Sequence, residues 1–334
     1  METIVKAFEI KEFRGINNVE DPARLPVEAS RVYLVGGTNI EIDHSKMIKM
    51  RPGYGAAVYP GSTIHSLWSD DSTCLFVRGA DLRLLKRNYS STIIHSGAGY
   101  GRMQYVKIGE KIVYTNNSII AYLDEDRAQQ DFAEPTHSGS GDTADATFKA
   151  KMRPGHLLEY FGARLFVARD TELWYSDAAY WQRYDTRYAA KKFKSRLQML
   201  RRVNDGLYIS DSEFVWFMAG LNPQEATIIR KLPAAAIMGS DITVEGNRVG
   251  KGYEGLAVIF ATSQGFYVGL DGGTVIPMTL GIYQPKVTAP AAAFIRERGC
   301  YMQYGISQEI GSDVTLTASK FSSTTSMTGT VTNA

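Results

Sequence analysis

Two cysteines in 334 residues, Cys74 and Cys300, are too few and too far apart for a disulfide framework or a four-ligand zinc site. They read as small buried hydrophobes and suit a reducing cytoplasm. Histidine is also scarce: His44, His65, His95, His137 and His156 never fall at an HxxxH or HExxH spacing. Two of them therefore do not share a helical face, and no metal site is expected. Long apolar runs are missing as well. The stretch 256–261 is far too short to cross a bilayer, and the N-terminal segment METIVKAFEIKEFRG lacks the apolar run of a signal peptide. A chain made and kept in solution, without membrane insertion, is expected. The net charge of +2 and a pI near 8.3 give no long-range field suited to nucleic acid or an anionic surface.

Catalytic signatures are equally thin. There is no G-x-S-x-G elbow, no sialidase-type aspartate box and no Gly-His to Trp-Asp pattern. Gly97-Ala98-Gly99-Tyr100-Gly101 resembles a phosphate loop only superficially, because the residues after it (103–108) read as strand. It is expected to be a turn between structural units. Carboxylates such as Asp70-Asp71, Asp124-Glu125-Asp126 and Asp170 fall in turns, where Asp bends the backbone. A glycosidase pair would have to meet across distant segments. The expectation is a protein without cofactor and without catalysis.

Glycine and aromatic residues, by contrast, are plentiful: 31 Gly, 19 Tyr, 14 Phe and 4 Trp. Aromatic and β-branched side chains fit pleated surfaces, and glycine serves tight turns, so strands are favoured over helices. A weak repeat is visible as apolar strand, turn, apolar strand, turn, apolar strand. Copies are read at 64–85, 103–123, 156–177, 199–220 and 255–278. Their middle strands align as Leu75-Phe76-Val77, Ile112-Val113-Tyr114, Leu165-Phe166-Val167, Leu207-Tyr208-Ile209 and Phe266-Tyr267-Val268. Each is a short run of large apolar residues bounded by turns, as a strand buried on both faces requires. The runs recur at intervals of 37, 53, 42 and 59 residues. The mean suits a four-stranded blade, the fourth strand lying in the less regular linker.

The predicted fold is all-β: a β-propeller of about six blades (five to seven), closed by strands from both termini. The uneven intervals leave a pair of sandwiches as the competing arrangement. RVYLVGGTNIEID (31–43) reads as a hairpin around Gly36-Gly37, and residues 300–319 read as strands. Sharing a blade between the two ends would remove an unpaired edge. The domain reading is an N-terminal arm at 1–30, a propeller at 31–319 and a flexible tail at 320–334. The polar, aperiodic stretch 124–150 is too long for a simple connector. It reads either as a docking arm or as a tolerated loop.

Two further features carry alternatives. Residues 183–202 concentrate Arg183, Arg187, Lys191, Lys192, Lys194 and Arg196, followed by Arg201 and Arg202, against the single Asp185. The first six are candidate partner contacts, for an acidic protein neighbour or, less suitably, DNA; a solvated loop gives the same pattern. Trp68, Trp174 and Trp216 recur late in strands and read as blade core rather than as a sugar platform.

The ordered series FRGINNVEDPARLP, TNIEIDHSKMIKMRPGYG, IHSLW, RPGHLLEYFGARLFVARDTELWYSDA, DGLYISDSEFVWFMAGLNP and AVIFATSQGFYVGLDGG resembles propeller-like structural proteins of tailed bacteriophages. The resemblance runs over about residues 10–280. Lys49 and Met50 depart from a turn that is often fully basic, and 225–250 has no counterpart. The resemblance implies a virion component of the tail nozzle, hub or head–tail connector, assembled in the host bacterial cytoplasm. Its partners would be copies of itself around a symmetry axis and portal, adaptor or tail proteins. The alternative is a receptor- or glycan-binding module of the phage tail.

Overall fold

A computed structural model describes residues 12–21, 24–25, 31–36, 40–42, 46–50, 64–135, 148–250, 252–285, 291–296 and 299–303. The described residues contain no α-helix; short 3₁₀ turns lie at Gly246–Arg248 and Asp271–Gly273. Five four-stranded antiparallel sheets follow one another along the chain. Blade 1 comprises Ile64–Ser69, Cys74–Arg78, Asp81–Leu85 and Ser91–His95. Blade 2 comprises Gln104–Ile108, Lys111–Thr115, Ile120–Leu123 and Gln129–Asp131. Blade 3 takes Leu157–Phe161, Arg164–Arg169, Glu172–Tyr175 and Ala190–Lys192. Blade 4 is Met199–Arg202, Gly206–Ser210, Val215–Ala219 and Thr227–Leu232. Blade 5 is Ile242–Glu245, Leu256–Thr262, Gly265–Leu270 and Thr274–Pro277.

The second strand of each blade carries the core. Leu75, Val77, Ile112, Tyr114, Leu165, Phe166, Leu207, Tyr208, Val258 and Phe260 are all fully buried. Burying each such side chain contributes about 1.5–3 kcal/mol. In blades 2, 3 and 4 these strands are apolar on both faces because each sheet is covered on both sides by its neighbours. Val113 of blade 2 packs in one cluster with Leu158 and Phe166 of blade 3 and with Leu200 and Leu207 of blade 4. Tyr208 of blade 4 lies with Val258, Phe260 and Tyr267 of blade 5. Trp68 of blade 1 stacks on Tyr105 of blade 2 at 5.8 Å. The first strands of blades 2, 3, 4 and 5 lie side by side in that order. Radially packed four-stranded meanders with adjacent first strands define a β-propeller.

A hydroxyl at the end of the second strand latches one blade to the next. Thr115 Oγ1 accepts from Gly155 N at 3.1 Å, just before blade 3, and Ser210 Oγ accepts from Ala236 N at 2.9 Å, just before blade 5. The next residue shapes the turn in both cases. Asn116 Oδ1 accepts from Ser118 N and Ile119 N, and Asp211 Oδ1 from Glu213 N and Phe214 N. Thr-Asn and Ser-Asp thus do the same work in blades 2 and 4. In blade 3 the first turn is made by Gly162 and Ala163, both left-handed (φ 56° and 58°), a backbone that favours glycine.

Several sequence expectations change in detail. In the fifth copy the expected middle strand lies one strand too late: Phe266-Tyr267-Val268 belongs to the third strand of blade 5, and the counterpart of the other middle strands is Leu256–Thr262. The last second-strand spacing, from Gly206 to Leu256, is then 50 residues. Residues 31–43 do not form a hairpin. Arg31–Leu34 pairs in parallel with Glu12–Ile16, inside the expected arm, while Ile40–Ile42 pairs with Ile48–Met50. The polar stretch 124–150 is partly sheet: Gln129–Asp131 completes blade 2, and Lys149–Lys151 pairs with Arg183–Asp185. Residues 136–147, 304–319 and the tail 320–334 lie outside the described residues.

The segment around Asn18 meets the chain just after blade 5, but among the described residues no sheet joins strands from both termini, so the expected shared closing blade is not seen there. Asn18 N donates to Ile282 O, and Asn18 exchanges side-chain hydrogen bonds with the Gln284 backbone. A hairpin, Ala292–Arg296 with Gly299–Gln303, follows, joined to the entry of blade 5 by Ala291 N donating to Met238 O.

Candidate functional site: the central channel

The first strands ring a cavity of about 560 Å³. Ser66 to Ser69 of blade 1 line it, with Met103 to Lys107 at blade 2, Glu159 of blade 3, Arg201 and Arg202 of blade 4, Asp241 to Thr243 at blade 5, and Ala292 and Ala293 of the hairpin. All five blades and the C-terminal hairpin therefore face one axial channel.

A charged cluster ties three of these strands together. Arg201 Nε lies 2.6 Å from Asp241 Oδ2, and its Nη1 lies 3.8 Å from Glu159 Oε2. Glu159 also accepts from the backbone N–H of Tyr160 at 3.0 Å and of Arg202 at 3.4 Å. Burial raises the Glu159 pKa, and nearby Arg201 only partly offsets this. Burial disfavours the Arg201 charge too, but Asp241 and Glu159 outweigh it and hold the guanidinium above its ordinary value. Both carboxylates are thus engaged by one arginine. The arrangement fixes the inner strands; it does not present a free acid and a free base.

Arg102 stands apart. It precedes the first strand of blade 2 and reaches Gly239, which precedes the first strand of blade 5. A Cβ on Gly239 would fall 2.2 and 2.3 Å from the two terminal nitrogens of Arg102. Gly239 also has φ of 80°. Both features call for glycine, so the bare backbone gives the guanidinium its seat.

The candidate contacts at 183–196 separate into three settings. Arg183 and Arg187 belong to an ion network. Arg183 pairs with Asp177 at 3.2 Å, Arg187 grips Asp185 at 2.7 Å, and Lys149 sits between the two acids at 3.0 and 3.2 Å. Hydrogen bonds from Arg187, above all, hold the Asp185 carboxyl well below the usual range. Lys191 and Lys192 lie on the outer strand of blade 3, where lysine discourages edge-to-edge pairing. Lys194 meets Glu213 at 3.3 Å on the surface, and Arg196 is exposed close to His156.

Of the histidines, His156 is buried and bonds Leu197 O through Nε2 at 2.7 Å, and His95 Nδ1 lies 2.6 Å from Tyr114 Oη. His65 pairs with Ser66 Oγ at 2.7 Å; His44 and His137 lie outside the described residues. The Gly97–Gly101 segment is a turn between blades 1 and 2, pinned by Gly97 N donating to Asp81 Oδ1. Trp68, Trp174 and Trp216 are half-buried and pack against blade cores.

The channel cluster escaped sequence reasoning. Its one local signal is a carboxylate inside the apolar run LLEYF, at Glu159.

No family model matches this chain, and no curated protein matches it. Solved structures similar to it include the Neurospora crassa Pan2 WD40 domain, at 11% identity and a TM-score of 0.42; 67% of this chain and 66% of that one are covered. A streptogramin B lyase structure is similar at 9% identity and TM-score 0.45, covering 76% and 86%. The extracellular domain of BT4673 from B. thetaiotaomicron, a putative hybrid two-component system, is similar at 11% and 0.47, covering 72% and 31%. The chain spans just under two thirds of the Pan2 domain and about a third of the BT4673 domain. The propeller assignment stands on the strand pairing.

Proposed function

We propose that this chain is a non-catalytic scaffold of a tailed bacteriophage particle, built into the tail or head–tail connector region in several copies around a symmetry axis. Portal, adaptor or tail proteins would be its neighbours. The observation carrying the non-catalytic part is that Arg201 engages both channel carboxylates, Glu159 and Asp241, and uses them to bind inner strands together. The virion part rests on the ordered sequence resemblance. A disc of radially packed sheets is stiff, and its loops offer repeated contacts to a ring of copies. Lys192 and Arg196, both exposed, are the members of the basic stretch best placed to meet an acidic neighbour. Quantitative mass spectrometry and antibody labelling of purified particles test this reading. A fixed copy number per particle is expected; absence from particles ends it.

A receptor- or glycan-binding role is the second reading, favoured by one feature. Tyr180, 60% exposed, and Trp181 line a cleft of about 350 Å³ with Lys111, Glu134, Gln182 and Arg183. Aromatic faces beside polar groups suit a sugar ring. A glycan array probed with multimeric protein should then give hits that Tyr180→Ala removes.

A further inference from the structure

We infer that the central channel is a binding site for a small oxyanion, the carboxylate or phosphate group of a compound that fits about 560 Å³, with the Arg102 guanidinium as its main anchor. The lining contains four cationic side chains, Arg102, Lys107, Arg201 and Arg202, and two anionic ones, Glu159 and Asp241. Arg201 takes up both acids, and Lys107 is held by Asp70 at 3.0 Å. Two positive side chains remain. Among the described residues Arg102 and Arg202 make no side-chain hydrogen bond and no ion pair.

Arg102 is solvent-exposed, like Arg202, but its head is seated on a neighbouring blade's backbone. Its head sits against Gly239, which precedes the first strand of blade 5, with the Ala291 carbonyl beside the same glycine. Nearby protein lowers its pKa, Asp241 opposing and Arg201 adding to the effect, although the side chain remains open to solvent. A guanidinium stays charged in such a place and retains up to five N–H donors. A planar fork without a side-chain partner can grip a carboxylate or phosphate through two parallel hydrogen bonds. Arg202, exposed on the neighbouring first strand, adds a second charge at the same cavity. The seat is preorganised by backbone, because only glycine at 239 leaves room for it.

Isothermal titration of the full chain with inorganic phosphate and, separately, citrate tests this at constant ionic strength set with chloride. Saturable binding in the sub-millimolar range is expected for at least one of them. Arg102→Gln should weaken it about tenfold or more, as loss of a charge-assisted pair does. Lys86→Gln, exposed between the two outer strands of blade 1 and outside the channel lining, should leave it unchanged. Arg102 packs into no core cluster, so its variant should fold, and unchanged circular dichroism verifies that. Binding of phosphate alone or citrate alone distinguishes the two sources of the oxyanion. No saturable heat with either, or equal affinity in Arg102→Gln, or equal loss in Lys86→Gln, overturns the site. None of these results bears on presence in phage particles.

Discussion

Replacing Ser210 by alanine probes the blade-to-blade latch directly. The Ser210 hydroxyl is fully buried, accepts from Ala236 N at 2.9 Å, and lies 2.9 Å from Asp211 O and 3.1 Å from Phe214 O as donor. Alanine removes the acceptor and leaves the Ala236 N–H buried without a partner. Such an orphan costs about 1–3 kcal/mol. At roughly 2.1 cal/mol/K per residue, unfolding a chain of this length carries an entropy of about 0.7 kcal/mol/K. The melting temperature should therefore fall by about 1.5–4 °C. Differential scanning calorimetry measures the drop, and Ser212→Ala, exposed in the same turn, supplies the control. Hydrogen exchange reports the local event: the Ala236 amide should lose protection relative to amides of the Gly206–Ser210 strand. A melting temperature equal to that of the control, with unchanged protection at Ala236, would refute the latch.

Gly155→Ala should destabilise by about 1–3 kcal/mol or more, because its Cβ would fall 2.2 Å from Ala168 O and 2.5 Å from Val167 Cγ1, and the carbonyl cannot swing away. Urea titration measures this, and in it Gly36→Ala, whose Cβ meets nothing within 4 Å, should stay within ordinary surface effects. His156 predicts a pH dependence. Burial lowers its pKa below 6.5, the Leu197 carbonyl only partly opposing, so the unfolded chain takes up the proton first. Its contribution is fully retained above pH 6.5 and lost as pH falls through 6.5 towards the lower folded value. Urea midpoints at pH 7.5 and 5 should differ less for His156→Gln than for the parent; equal differences would remove His156 as the cause.

The second strands were legible because their signal is local. A run such as Leu165-Phe166-Val167 between turns has one stable use, burial on both faces of a sheet. The register slip in the last copy has a local cause as well. Leu256–Thr262 and Gly265–Leu270 are both apolar runs, whereas the first strand of blade 5, ITVE, carries little to mark it. The latch was written in the sequence as Thr115-Asn116 and Ser210-Asp211. Such pairs also cap ordinary turns, and only the position of Gly155 and Ala236 distinguishes the two uses. In the basic stretch, sequence proximity misled. Asp177, eight residues before Asp185, and Lys149 from a distant strand complete an ion network that absorbs Arg183 and Arg187.

The sequence by itself determined a chain of short, doubly buried strands with turns between them, because side-chain burial and turn chemistry act over a few residues. The tertiary structure alone decided what faces the axis. Glu159, Arg201 and Asp241 lie 42 and 40 residues apart, and Arg102 meets Gly239 across 137. Charges act through space, and only the radial packing of successive blades brings those positions to one channel.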